Sequence, residues 1–153
     1  MNEQQAARLR ETLFARDAAR ELIAELNTAA SLVAELIAET AKNGKETIER
    51  LRHLKPNIMQ KHELTPSHAA RLDALLLEHD AAMEAIKIMM AKMEAIETQI
   101  QEAEALLTRH DDQIAEYVPR GACVLFEGLV IQRDNDGLIQ IKPILISYDK
   151  PKP

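Results

Sequence analysis

Apolar residues spaced three and four positions apart extend through the second half of the chain, from Pro66 to Val118. Stepping alternately by three and four from Leu72 meets fourteen positions without Asp, Glu, Lys or Arg, although charged residues are frequent around them. This pattern predicts one long helix with an apolar seam, as in a coiled coil or a long helical hairpin. We expect the seam to meet other copies of the chain. Its residues are Leu72, Leu75, His79, Ala82, Ile86, Met89, Met93, Ile96, Ile100, Ala103, Leu107, His110, Ile114 and Tyr117.

The seam of this second helix changes width along its length. Leu76, Met83 and Met90 widen it near its start, whereas the equivalent later positions hold Glu97, Glu104 and Asp111. A narrow apolar seam flanked by charge is typical of coiled coils with few strands.

Residues 2–54 are predicted to form the first helix, which is apolar over most of its circumference and therefore needs cover on most sides. Before Ala15 the stripe fades to Ala6, Leu9 and Leu13, so the first turns are expected to pack less firmly. Asn43-Gly44 is a natural helix stop, which leaves open whether the helix is continuous there. The main stripe is Ala15, Ala19, Leu22, Leu26, Ala29, Val33 and Leu36, widened by Ile23, Ala30 and Ile37.

A connector is predicted over residues 55–65, because Pro56 interrupts a helix. Thr65-Pro66 then provides an N-cap and a proline at the first position of the second helix, residues 66–118. The two arms are equally long, which favours an antiparallel helical hairpin over residues 1–118 that drives oligomerisation.

Residues 119–147 are expected to form a β-hairpin, followed by a tail at 148–153. Ala122–Ile131 is predicted as a single strand that is apolar on both faces, and Leu138–Ile146 as the returning strand. An isolated hairpin is marginal in water, so the helices or other copies must complete it. The residues expected to mediate this β association are Val124, Phe126, Val130, Ile139, Ile141 and Leu145.

Composition narrows the function classes. Aromatic residues are only 3% of the chain and the net charge is −6. Eleven carboxylates against four Lys and Arg give residues 66–118 a charge of −7. Nucleic acids and anionic membranes attract basic surfaces, so neither is an expected partner. The polar start shows no signal peptide and no stretch is apolar enough to span a membrane, which predicts a cytoplasmic or virion-associated protein.

Candidate chemical sites are few. Glu49 and His53 are the only Glu/His pair at metal-ligand spacing, and a solvated helix pair explains them better, so no metal, cofactor or catalytic residue is predicted. His79 and His110 are interpreted as polar layers that fix register and subunit number, with a half-exposed position or ligand binding as alternatives. Cys123 is expected to be a buried structural thiol.

The methionines of the second helix allow two interpretations. Met83, Met89, Met90 and Met93 suit a helix core, and an adaptable docking surface is the second possibility.

These patterns predict a mainly α fold and a non-enzymatic structural protein that forms a homo-oligomer, with a trimer or larger favoured. The β-hairpin is expected to contact another structural protein. The architecture resembles that of virion fibre, adaptor and connector proteins, by analogy of fold alone. One alternative is a DNA-packaging protein of the small-terminase kind, although residues 1–60 show no helix-turn-helix. A helical-bundle metal enzyme lacks the ligands.

Overall fold

The computed structural model describes residues 1–60 and 66–144, with side chains described for 1–53 and 66–144. Two long helices pack as a hairpin and an antiparallel sheet follows them, which confirms the predicted mainly α class. The oligomeric bundle stays a prediction. In chain order the elements are α1 (Glu3–Gln60), α2 (Pro66–Ala115), β1 (Cys123–Phe126), β2 (Leu129–Arg133) and β3 (Ile139–Pro143).

Helix α1 begins with a reciprocal cap. The Asn2 Oδ1 accepts a hydrogen bond from the Gln5 backbone N–H at 2.8 Å, and the Gln5 Oε1 accepts one from the Asn2 N–H at 3.1 Å. This arrangement satisfies N–H groups that have no partner within the first turn. The chain is therefore helical from Glu3.

Helix α1 then continues without a break through Gly44 and Pro56 to Gln60, so the predicted end at Leu54 is wrong. A proline removes only one backbone hydrogen bond, and this helix is 58 residues long. Of the predicted connector, residues 61–65 lie outside the described residues, as does Thr65 of the predicted cap. Helix α2 begins at Pro66 as predicted.

Helix α2 ends at Ala115, three residues before the predicted end. The backbone tightens there, since the Tyr117 N–H donates to the Ile114 carbonyl and the Val118 N–H to the Ala115 carbonyl. Pro119 accounts for the stop, because a residue before proline is disfavoured in the α conformation.

The predicted strand Ala122–Ile131 is two strands, so the predicted two-stranded hairpin is a three-stranded sheet of order β1-β2-β3. The chain reverses at Glu127 (φ 45°) and Gly128 (φ 79°), between the paired residues Phe126 and Leu129. Positive φ at both central residues matches the type I′ turn that joins tightly paired strands. Leu145 and the tail lie outside the described residues.

The structure divides into two compact units. Unit 1 comprises Met1–Ile23 and Glu102–Pro153, and unit 2 comprises Ala24–Gln101. Unit 1 has a closed core, in which Leu9, Ile114, Val118 and Ile131 have no exposed surface and Leu13 is 7% exposed. The prediction that the first turns of α1 pack loosely is therefore wrong, because the sheet and the end of α2 cover them.

Unit 2 is built differently. Among its described side chains, only Leu75 and Thr47 are buried, and the remaining residues of the helix–helix contact are half-buried. The helices approach closely where Gly44 faces Ala82. Two helices alone cover only one stripe of each other, which leaves the other faces of unit 2 open.

Candidate interaction surfaces

Thirteen of the fourteen predicted seam residues lie on the covered face of α2, and Tyr117 lies in the turn that follows it. Leu75, Ala103 and Ile114 are buried, and the other eleven are half-buried. Because α2 packs against α1 in the hairpin, the chain itself provides cover for this face. Contact of the seam with other copies stays a prediction.

The covered stripe of α1 includes most of the predicted one, but Leu22 and Leu36 are exposed. Leu22 and Leu36 are 46% and 52% exposed, whereas their neighbours Ile23 and Ile37 are half-buried. The stripe continues through polar positions, where the buried Thr47 donates its hydroxyl to the Asn43 carbonyl at 3.1 Å. The residues that form this stripe are Arg16, Ala19, Ile23, Leu26, Ala30, Val33, Ile37, Thr40, Gly44, Thr47 and Leu51.

The two seam histidines are both half-buried but have different neighbours. The His79 Nδ1 lies 3.6 Å from the Asp80 carboxylate in unit 2. The His110 Nδ1 lies 3.4 Å from the Gln113 side-chain oxygen in unit 1. Their proposed role in setting register and subunit number stays a prediction.

An apolar groove opens beside the helix contact in unit 2, with a volume of about 1100 Å³. Its floor is formed by Ile37 from α1 and by Ile86, Met83, Met90 and Met93 from α2. We call this the methionine groove. Met83 and Met90 are 55% and 60% exposed, so the interpretation of these two methionines as core is wrong. The seam residues of α2 already fill the contact with α1. Met83 and Met90, which lie beside the seam, therefore remain in solvent.

Charged residues border the methionine groove along α2. Ala91 and five charged residues line it, and the charged residues are Asp80, Glu84, Glu94, Glu97 and Lys87. The border therefore has a formal charge of −3. An acidic border attracts cationic groups and repels phosphate.

A second apolar surface lies on the flank of unit 2 away from the methionine groove. In an antiparallel helix pair, the residues that directly precede the contact residues lie on the same flank in both helices. Leu36 directly precedes the contact residue Ile37, and Ala85 directly precedes Ile86, so both lie on this flank. Leu32 and Ile88 extend it and are 57% and 51% exposed. We call this the leucine face, and its residues are Ala29, Leu32 and Leu36 of α1 with Ala81, Ala85 and Ile88 of α2.

Unit 1 is held by ion pairs that sequence periodicity did not reveal. The Arg16 Nε donates to the Asp111 Oδ1 at 2.5 Å, and Arg16 is only 5% exposed. Within the described residues its Nη1 is buried without a hydrogen-bond partner. Arg133 donates from Nη1 to the carbonyls of Ala115 and Val118, where it caps the end of α2.

A second ion pair joins the start of α1 to the β1–β2 turn. The Arg10 Nε donates to the Glu127 Oε2 at 2.9 Å, and a further short contact joins Arg10 Nη2 to Oε1. The hydrogen bond from Arg10 lowers the pKa of the exposed Glu127 carboxyl below its ordinary value, and the same bond raises the pKa of Arg10. This bidentate pair fixes the turn against the helix.

A smaller polar cavity of about 470 Å³ lies between α1 and the end of α2 in unit 1. Its titratable residues are Arg8, Glu11, His110, Glu116 and Tyr117. The Thr12 hydroxyl in its wall donates to the Arg8 carbonyl at 2.9 Å, so it serves the helix backbone. The arrangement does not join a nucleophile to a base in the part of the chain that the structure describes.

The sheet directs most of the predicted β-association residues inwards. Val124, Phe126, Ile139 and Ile141 pack against the core of unit 1, so the helices cover this face of the sheet, which is one of the two alternatives that the sequence left open. Strand alternation explains this, because Val124 pairs with Ile131 and Ile131 with Ile141 on one face. Leu145 lies outside the described residues.

The opposite face of the sheet is solvent-accessible. It carries Leu125, which is 71% exposed, and the half-buried Val130, beside Gln132 and Lys142. Cys123 is exposed on the same face, so the prediction of a buried thiol is wrong. The sheet therefore offers one small apolar patch instead of two apolar faces.

Across residues 1–60 and 66–144, no group of three or more His, Cys, Asp and Glu could hold a metal ion. In the same residues, neither helix has a stretch long and apolar enough to cross a bilayer.

Comparison of the chain with known protein families, with curated proteins and with solved structures found no match.

Proposed function

We propose that this protein is a non-enzymatic assembly protein whose helical hairpin associates with further copies of the same chain. The observation that carries the proposal is the leucine face of unit 2, on which Leu32, Leu36 and Ile88 are each more than half exposed. Large apolar side chains grouped on one surface favour protein contacts, because their burial removes apolar area from water.

The composition of the leucine face suits contact between identical helices. Ala29, Ala81 and Ala85 have short side chains that let another helix approach closely. In addition, unit 2 has few buried side chains of its own, so a bundle of several hairpins would supply the core that one pair of helices lacks. A trimer or a larger oligomer agrees with the proposal.

The sheet has a smaller role in this proposal than its sequence indicated. Its exposed face, with Leu125 and Val130, is a candidate contact for another structural protein. A helical bundle that carries such a sheet suits a connector or adaptor, and a virion component is one setting for it by analogy of fold alone.

The experiment is a mass measurement in solution, by light scattering or native mass spectrometry, over a series of protein concentrations. We expect the wild-type mass to be a multiple of 17.2 kDa. The double variant Leu36→Glu with Ile88→Glu places two charges in the leucine face and should shift the protein towards the monomer.

The matched control is Thr28→Glu with Thr98→Glu, which adds the same charge at exposed positions of the same helices. It should keep the wild-type mass, and circular dichroism should show that both variants remain helical. A wild-type monomer at every concentration would contradict the proposal, as would equal effects of the two double variants.

A further inference from the structure

The methionine groove has features of a binding site for a different protein. Its floor combines Met83, Met90 and Met93 with two isoleucines, and the two most exposed methionines keep more than half of their surface in solvent. Methionine side chains are unbranched and polarisable, so they adapt to apolar side chains of varied shape. The groove follows α2 from Asp80 to Glu97, a length of about 27 Å at about 1.5 Å per residue.

The border of the groove specifies the charge of its occupant. Asp80, Glu84, Glu94 and Glu97 line it, with Lys87 as the only basic lining residue. An elongated apolar floor between carboxylates complements a helix with one apolar stripe and basic residues beside it. We propose that the methionine groove binds a basic amphipathic helix of a partner protein.

The same charges disfavour other occupants. Two methionine grooves placed face to face would bring eight carboxylates together with only two lysines, so a second copy of the chain fits poorly. Nucleic acids and anionic lipids carry phosphate, which the acidic border repels. This inference goes beyond self-association, because it concerns the opposite flank of unit 2 from the leucine face.

The test uses the full-length protein and a synthetic peptide of about 18 residues, the length that spans the groove at about 1.5 Å per residue. The peptide is made of leucine, alanine and lysine, with leucines at helical spacing on one face and lysines beside them. Fluorescence anisotropy measures its binding at low and high salt. A second peptide, in which glutamate replaces every lysine, tests the role of charge.

Two pairs of variants locate the binding. Met83→Ser with Met90→Ser removes part of the floor without changing charge, and should weaken binding roughly tenfold through lost apolar burial. Glu84→Gln with Glu94→Gln neutralises two border carboxylates and should reduce both the affinity and its salt dependence. Glu35→Gln with Glu39→Gln makes the same charge change on exposed positions of α1 and should leave binding unchanged.

Three results would overturn the inference. One is binding of the basic peptide that the methionine variant does not weaken, and another is equal binding of the acidic peptide. The third is a fall in the mass of the protein in the methionine variant, which would identify a second copy of the chain as the occupant. Failure of the leucine-face variants to change the mass would affect only the proposed self-association.

Discussion

Gly44 lies in the middle of a helix and faces Ala82 across the helix contact of unit 2. A Cβ atom added to Gly44 would lie 3.7 Å from the Ala82 Cβ, which is an ordinary van der Waals contact. The backbone of Gly44 is helical, so its conformation also accepts an alanine. The close approach of the two helices therefore does not depend on Gly44 lacking a side chain, because a Cβ atom fits at this position.

We predict that Gly44→Ala raises the free energy of unfolding by about 1 kcal/mol, because glycine is less favourable than alanine inside a helix by about that amount. Urea denaturation followed by circular dichroism measures the change. Gly44→Leu should instead lower stability, since a larger side chain meets Ala82.

Gly128→Ala is the control for the glycine prediction. Gly128 has φ +79°, and no described atom lies within 4 Å of the position that a Cβ would take, so its substitution tests backbone conformation alone. We expect a loss of about 1 kcal/mol, as a left-handed conformation disfavours a Cβ atom. Loss of stability in Gly44→Ala would contradict the assignment of a continuous α1, and a gain of stability in Gly128→Ala would contradict the positive φ of the β1–β2 turn.

Leu9 tests the core of unit 1. It has no exposed surface, so Leu9→Ala should cost about 2–5 kcal/mol through lost burial and an unfilled cavity. Leu22→Ala, in the same helix and unit but 46% exposed, should cost about 1 kcal/mol or less. Thermal and chemical denaturation compare the two. Similar costs would show that the first turns of α1 are not packed as described.

The Arg16–Asp111 ion pair predicts an asymmetry between its two partners. Asp111→Ala leaves the buried Arg16 guanidinium without a counter-charge and should lower the free energy of unfolding by on the order of 3 kcal/mol. This value is at the low end of the range for broken buried ion pairs, because the Asp111 side chain is 32% exposed. Arg16→Met removes the buried charge and retains much of the apolar volume, so it should change stability by about 1 kcal/mol or less. Chemical denaturation at neutral pH measures both, and equal losses would contradict the prediction.

The Arg10–Glu127 pair predicts a dependence on pH. The pKa of Glu127 is lower in the folded protein than its ordinary value of 4.5. The ion pair therefore stabilises the folded protein fully above pH 4.5, and this stabilisation is lost as the pH falls through the lower pKa of Glu127 in the folded state. Glu127→Gln should lower Tm slightly at neutral pH, and the difference from wild type should close in acid.

Glu102→Gln is the control for the pH prediction. Glu102 is an exposed carboxylate of unit 1 without an ion pair in the described structure. Its Tm difference from wild type should not follow the pH profile of Glu127→Gln. Parallel profiles for the two variants would show that the Arg10 contact does not stabilise the fold.

The sequence predicts the helices well because their periodicity is strong, but it leaves the phase of α1 ambiguous. Both Leu22 and Ile23, and both Leu36 and Ile37, are apolar, so either residue of each pair could face α2. The choice depends on which partner positions are available, and a single-helix pattern carries no information on that. In α2 the seam alternates with charged residues, and there the pattern identifies the covered face.

The turn between β1 and β2 and the ion pairs were missed for two physical reasons. Glu127 is not a residue that favours positive φ, and apolar residues continue on both sides of Glu127-Gly128, so the turn has a weak signal. The partners of Arg10 and Arg16 are 117 and 95 positions away along the chain. Such contacts follow from the fold and leave no periodic trace in the sequence. The methionine groove had a partial signal, in the four methionines between residues 83 and 93.

Unit 1 is built from two segments that lie far apart in the chain, and this has a consequence for biosynthesis. Leu9 and Leu13 leave the ribosome early, but Ile131, in the strand that completes their core, is made more than a hundred residues later. At roughly 5–20 residues per second, this delay is on the order of ten seconds. During that time the first turns of α1 have no sheet to pack against, whereas the segments of unit 2 are made consecutively. A chain halted before β2 would therefore carry an uncovered apolar segment at its start, a target for chaperones and for quality-control proteases.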